Sequence, residues 1–308
     1  MRPESFGTNT DVGSHKEHEI VSKKIDWTNT IFLLSTPIIA FVLGLKYFYA
    51  FGLEWPQIAL AVFFYFITGL SVTGGYHRLF AHRTYKANNF VKLIYLLFGA
   101  ASFQNSALKW CSDHRVHHNH VDHDKDPYNI NKGFFYAHMG WIFYKEEDSN
   151  PKYPKDLTND KLVMWQHRNY LWLCVAMGFI LPTVIGHFLG SALGGFALSG
   201  VGRVVVVHHC TFFINSLCHI VGTRPYTDSN TARDSAIMAV FSYGEGYHNY
   251  HHYFPVDYRN GIRWYHFDPT KWLIKVLSFV GWTKDLKKVP EKLIADAQLQ
   301  MRIKKYAA

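Results

Sequence analysis

Four long stretches of this chain carry almost no charge. Residues 28–51 contain one charged side chain, Lys46, and residues 57–76 contain none; residues 170–190 contain none, and residues 196–218 contain one, Arg203. Each comes close to the roughly 20 apolar residues needed to cross a bilayer as a helix. Glu54, Trp55 and Pro56 mark a turn between the first two, and a glycine-rich turn at 190–195 separates the last two. The pattern predicts an all-α integral membrane protein of four crossings, formed by a single domain over 1–308. A polar segment (1–27) precedes the crossings, and a helical cap is built from 77–169 and 219–308. A weaker apolar piece, 91–103, is too short to cross and is expected at the interface or against the membrane face. A Lys-rich helix is expected over 290–306. Arg203, His208 and His209 lie inside the fourth stretch, so that helix must face protein or a polar cavity for part of its length.

Charge sets the expected orientation. The links between crossings one and two, and three and four, are short, and nearly all Lys and Arg fall in the amino-terminal, middle and carboxy-terminal segments. The positive-inside rule then places both termini and the cap on the cytoplasmic side. The first 26 residues have no apolar core of a cleavable signal peptide. A net charge of +9 suits contact with anionic lipid headgroups. The basic residues form no dense run and no DNA-binding motif, which excludes nucleic acid as a partner. Cys111, Cys174, Cys210 and Cys218 have no paired spacing and read as free, buried thiols.

The chemistry lies in histidine. Eight fall in three clusters just outside the apolar stretches: His77 and His82; His114, His117 and His118; His248, His251 and His252. On a helix, positions i, i+3 and i+4 share a face, so each HxxHH directs three rings one way. The i, i+5 spacing of the first cluster is looser and could bracket a helix end. Eight imidazoles exceed the capacity of one ion, which points to a two-metal site at a membrane surface. His15, His18, His167, His187 and His266 read as ordinary isolated histidines. Imidazole alone does not select iron over zinc, but the apolar setting favours oxygen chemistry on a lipid. Glu245-Gly-Tyr-His248 matches the Glu-x-x-His pattern of soluble di-iron bundles, yet it has no partner motif and reads as chance.

Beyond these clusters the chain resembles the integral-membrane fatty acid desaturases of the stearoyl-CoA (delta-9) type over roughly residues 28–270. The resemblance rests on residues 75–86 (GYHRLFAHRTYK), Trp110 with Asp113-His-Arg-Val-His-His118, Asp126-Pro127, Gly133-Phe-Phe135, Asn215-Ser-Leu-Cys-His219 and residues 244–252 (GEGYHNYHH). It implies an enzyme that uses two iron ions, O2 and two electrons to place a cis double bond in a saturated acyl chain, with acyl-CoA as the favoured substrate. It adds His219 as a ninth ligand and Asn215 as the holder of a metal-near water. It also implies that Gln104, Trp110 and Thr211 line a kinked acyl tunnel, that Tyr65 and Gly69 lie at its closed end, and that Asn105 and Asp113 contact the headgroup. No residue beyond the ligands is expected to act as a nucleophile. His208 and His209 match no ligand and read as buried, partnered polar groups.

The sequence also departs from that family's pattern. Ser112 stands where the animal enzymes have Arg, Ser106 replaces an acidic residue, and Lys145-Glu146 replaces a basic pair. The changes at Ser112 and Lys145-Glu146 remove positive charge where CoA phosphates would bind. A phospholipid-linked or protein-linked acyl group is therefore the alternative carrier. A hydroxylase on the same metals, a zinc hydrolase and a non-catalytic metal-binding lipid sensor are the rival functions. These 308 residues contain no His-Pro-Gly-Gly heme segment and no cysteine set for an iron–sulfur cluster. Electrons are thus expected from a separate carrier such as cytochrome b5, ferredoxin or rubredoxin. Zinc could occupy the same nitrogens in a purified sample as an artefact.

Overall fold

The computed structural model describes residues 24–145 and 153–307; His15, His18 and Glu146 lie outside them. In chain order the main helices are α1 (Trp27–Phe51), α2 (Trp55–Ala81), α3 (Asn89–Ala100), α4 (Ala107–His120), α5 (Phe134–His138) and α6 (Lys161–Arg168). They are followed by α7 (Tyr170–Phe188), α8 (Ala192–His219), α9 (Ala236–Phe241), α10 (His248–Tyr253), α11 (Pro269–Phe279) and α12 (Glu291–Ala307). Two short strands, β1 (Lys86–Ala87) and β2 (Thr283–Lys284), pair antiparallel with Ala87 opposite Thr283.

Helices α1, α2, α7 and α8 are long and apolar enough to cross a membrane. In their most apolar windows only 17% of α1 and 22% of α7 is buried, against 50% of α2 and 56% of α8. Thus α2 and α8 form the centre, and α1 and α7 present apolar side chains outward, as lipid contact requires. Asp26 caps α1, its Oδ1 accepting from the Asn29 backbone at 3.0 Å. At the end of the bundle far from the histidine clusters, α7 and α8 nearly touch. A Cβ on Gly195 would lie 2.3 Å from the Pro182 carbonyl oxygen, so only glycine permits this approach. The amide of Gln57 donates to the carbonyls of Gly186 (2.9 Å) and Leu189 (3.2 Å), satisfying acceptors at the end of α7.

Arg203, His208 and His209 of α8 each find partners, whereas the buried Ser199 hydroxyl has no hydrogen-bond partner among the described residues. Arg203 is buried and donates to the carbonyls of Ser199, Ala101 and Gly178, tying α8 to α3 and α7. His208 Nε2 donates to the Ser102 carbonyl at 2.7 Å. His209 Nδ1 lies 3.0 Å from His138 Nε2, on α5. His208 and His209 are therefore partnered separately rather than with each other, and His209 is only half-buried. All four cysteines are free and buried. The short apolar helix α3 packs on the last turns of α2, where the Tyr95 ring covers Gly74 and Gly75.

Candidate metal centre

The wound geometry of α2 explains the first histidine pair. Over Ser71–Ala81 the helix widens into π-type turns, and the His82 amide donates to the His77 carbonyl at 3.0 Å, an i→i+5 bond. Wide turns of this kind are concentrated at functional sites. Here they bring two residues five apart to the same face, with ring centroids 4.8 Å apart. An ordinary α-helix would direct them differently.

The nine histidines converge in two groups. His77, His82, His114, His118 and His251 form one; His117, His219, His248 and His252 form the other, and within each group the facing ring nitrogens lie within 4.8 Å of one another. Each HxxHH motif is therefore divided. His114 and His118 serve the first group and His117 the second; His248 and His252 serve the second and His251 the first. His118 and His252 stack across the seam, 4.4 Å between centroids.

The donor set fits two metal ions. Nε2 atoms approach in pairs: His82 and His114 at 2.8 Å, His118 and His251 at 2.9 Å, His77 and His251 at 3.0 Å, His248 and His252 at 3.0 Å, and His219 and His248 at 3.2 Å. Lone pairs at that separation repel unless a proton or a metal cation lies between them. An ion about 2.0–2.1 Å from each nitrogen, with adjacent bonds near a right angle, has N···N edges of about 3 Å. Burial first, and neighbouring rings second, hold His82, His114, His118, His248, His251 and His252 well below the ordinary imidazole pKa of 6.5. Those rings are neutral near pH 7, which is the form that binds metal.

The pKa shift also predicts a pH dependence of stability. Between the unfolded value of about 6.5 and the lower folded values, the unfolded chain binds protons that the folded site refuses. Stability of the metal-free protein is expected to fall as pH drops below about 7 and to be pH-insensitive just above it. Thermal unfolding in detergent across pH 5–8 would measure this; a flat profile would contradict it.

The far nitrogens of three rings are held by partners that sequence reading did not assign. His117 Nδ1 donates to Asp126 Oδ1 at 2.8 Å, and that carboxylate also accepts from the backbones of Asp122 and Tyr128. Burial alone would raise the Asp126 carboxyl, but the hydrogen bond from His117 and its charge hold it below the usual range. His219 Nδ1 donates to Thr231 Oγ1 (2.7 Å), which donates to Asp122 Oδ1 (2.7 Å). His77 Nδ1 lies 2.9 Å from Glu245 Oε2, and Glu245 Oε1 accepts from Arg78 Nε and Nη2 at 3.1 and 2.8 Å. Arg78 is fully buried and also reaches Asp268. Such partners fix the tautomer that leaves Nε2 free for metal. The Glu245-x-x-His248 match is thus not a pair of ligands, yet Glu245 belongs to the site through His77. The visible signals were Arg78 beside His77 and a carboxylate within the third cluster.

Two adjoining cavities lie beside these rings, an outer and an inner one. The outer one, about 340 Å³, is lined among others by Gln104, Asn105, Lys109, Trp110, Asp113 and Thr211. The smaller inner one shares Trp110, His114, Thr211 and Asn215 and is also lined by Gly69 and Tyr243. Gln104 Nε2 donates to Thr211 Oγ1 at 3.0 Å on the wall of the outer cavity. Asn215 lines both cavities together with His114, and the inner one also with His117. Gly69 lies against Tyr243, where a Cβ would lie 2.0 Å from the Tyr243 ring. Tyr65 stands behind that ring rather than on the wall: its centroid is 4.9 Å from that of Tyr243, and its hydroxyl donates to the Phe241 carbonyl at 2.9 Å. At the mouth, Lys109 Nζ is 2.5 Å from Asp113 Oδ1.

Four helices long and apolar enough to cross a membrane, two all-histidine groups that could hold metal and two adjoining cavities beside them define a membrane protein with a candidate two-metal site. The family profile described as fatty acid desaturase matches residues 53–278, and the chain belongs to that family. It is 42% identical over 287 residues to acyl-CoA desaturase 1 of Saccharomyces cerevisiae, covering 91% of this chain and 55% of that protein. It is 35% identical over 283 residues to the Delta(9)-fatty-acid desaturase fat-5 of Caenorhabditis elegans (90% and 84% covered). It is 32% identical over 273 residues to the sn-1 stearoyl-lipid 9-desaturase of Anabaena variabilis (87% and 96% covered). The chain spans just over half the length of the yeast relative.

Proposed function

We propose that this protein is an oxygen-dependent acyl desaturase that places a cis double bond at the delta-9 position of a saturated chain. The observation that carries this reading is the junction of the two cavities at Trp110 and Thr211, beside His114, which lines both. A straight acyl chain entering them is bent where it passes the metals, which selects both the carbons attacked and the cis geometry. Two iron ions held by the nine imidazoles would supply O2 activation. Overall, two C–H bonds, O2, two electrons and two protons become one C=C bond and two waters. The side chains position the substrate and hold the ligand tautomers, and the apolar walls exclude water. The two electrons come from a one-electron carrier, for which cytochrome b5, ferredoxin and rubredoxin are the candidates. The bundle is oriented with both termini and the metal groups on the cytoplasmic side, consistent with the short links at the opposite end.

Acyl-CoA is the proposed carrier, in keeping with the yeast relative's name. One observation favours a phospholipid-linked chain instead: the mouth presents Lys109 already engaged by Asp113, with Asp26 nearby, a poor surface for a polyphosphate. The deciding experiment supplies purified protein in nanodiscs with iron, O2 and a reducing system, and offers stearoyl-CoA or stearoyl-phospholipid. A delta-9 monoene from one carrier assigns it. An oxygenated chain would replace this reading with a hydroxylase, and turnover without O2 would replace it with a zinc hydrolase. Metal binding without O2 consumption would replace it with a lipid sensor.

Chain length should be read by Tyr243. Its ring lines the inner cavity over Gly69, so Tyr243→Ala opens space where the methyl end would lie. Preference is expected to move to substrates longer by one or more methylenes, each worth about 10–200-fold in discrimination. Competition between chains of different length, scored by product mass, tests it; an unchanged ratio would remove Tyr243 from the wall.

A further inference from the structure

We propose that α9 and the outward face of α11 are embedded in the bilayer interface, so that the cap is fastened to the membrane independently of the four crossings. In a cap surrounded by water these faces would be polar. They are not. The outward side of α9 is Ile237, Val240 and Phe241, with Ile237 74% exposed. On α11 the inward residues are Thr270, Lys271 and Ile274, while Val276, Phe279 and Val280 point outward, Phe279 being 74% exposed. The one cation among them, Lys275, lies with its Nζ 4.6 Å from the Phe279 ring centre. A stripe of apolar residues at i, i+3 and i+4 beside a lysine is the pattern of a helix lying in a lipid interface.

The placement of both helices names the occupant. Phe241 accepts from the hydroxyl of Tyr65, and the Tyr243 hydroxyl donates to the Tyr65 carbonyl at 3.1 Å. Tyr65 lies within the uncharged stretch of α2 that crosses the bilayer. At the start of α11, Thr270 Oγ1 is 2.7 Å from Thr73 Oγ1 and donates to the Tyr243 carbonyl. Both helices therefore hang on α2 between residues 65 and 73, about 12 Å of helix at 1.5 Å per residue, alongside a crossing segment. Beyond the far end of α11, the Trp282 carbonyl accepts from the Asn88 amide and its ring packs on Phe90, linking the same surface to α3. The apolar surface is continuous with that of a membrane helix. Its occupant is the glycerol and upper acyl region of a phospholipid bilayer.

Two measurements test this in nanodiscs. Ile237→Cys and Phe279→Cys are each labelled with a polarity-sensitive dye, the four native cysteines being buried, and compared with Asp296→Cys on exposed α12. The expected result is blue-shifted emission, quenching by nitroxide-bearing phospholipids, and loss of about half or more of the iodide quenching seen at position 296. Iodide access equal to that control overturns the proposal. Protection without quenching by lipid nitroxides also overturns it, and would point to a protein covering the face. The unmodified chain provides the second measurement. A phospholipid carrying a photoreactive group near its glycerol should crosslink to peptides spanning 236–241 and 272–280, and absence of crosslinks there overturns the proposal whether or not the variants fold.

Discussion

His118→Ala protein is expected to insert into the membrane and fold, yet to form less than roughly a hundredth of the normal product and to retain less than its full metal complement. His118 belongs to the five-ring group, with its Nε2 2.9 Å from that of His251, and its ring stacks on His252 of the other group. Its loss opens one group and removes packing at the seam, so both ions should be affected. Five rings around one position leave four after the substitution, and residual occupancy of that position is expected. The test is iron per polypeptide by elemental analysis, together with product yield in a host lacking its own unsaturation pathway. Full iron occupancy with normal product would show that this ring is not a ligand.

Glu245→Gln should have the next largest effect. The change leaves shape intact but removes the charge facing His77 Nδ1 and the Arg78 guanidinium. Loss of such an outer partner costs about 10–100-fold in metal affinity. Breaking a buried ion pair from one side costs about 3–5 kcal/mol of stability, moderated here because Arg78 keeps Asp268. Burial alone would raise the Glu245 carboxyl, but Arg78 first, and His77 second, hold it at about 2. Its stabilising effect is therefore complete above the unfolded value of about 4.3 and is lost as pH falls through about 2. The stability gap between the two proteins should narrow over that window. Chelator competition measures the affinity, and thermal unfolding against pH measures the gap. A gap that does not change with pH would mean that Glu245 acts only by packing.

The crossings were legible because bilayer thickness imposes a length and a composition that few other structures satisfy. The expected spans 28–51 and 57–76 correspond to α1 and α2, the second continuing to Ala81 because the histidine-bearing turns prolong the same helix. The histidine clusters were legible because their spacing is short and repeated. How they divide between two groups was not: residues of one HxxHH share a face, but only the angle between α4 and α10 decides which ring meets which partner. Nor was the role of Glu245 legible, since His77 lies 168 positions earlier in the chain. The exposed apolar faces of α9 and α11 escaped notice for a related reason. Short helices rich in Ile, Val and Phe look like core until the fold shows which side points out.

By itself the sequence determined the membrane class, the number of crossings and the concentration of imidazole outside them, because these depend on local composition and spacing. Only the tertiary structure decided the five-and-four division of the rings, the carboxylates behind them and the packing of the Tyr243 ring over Gly69 beside the inner cavity. Each of these arises from contacts between segments far apart in the chain. Their geometry is set by how α2, α4, α8 and α10 pack, and no periodicity within any one segment encodes it.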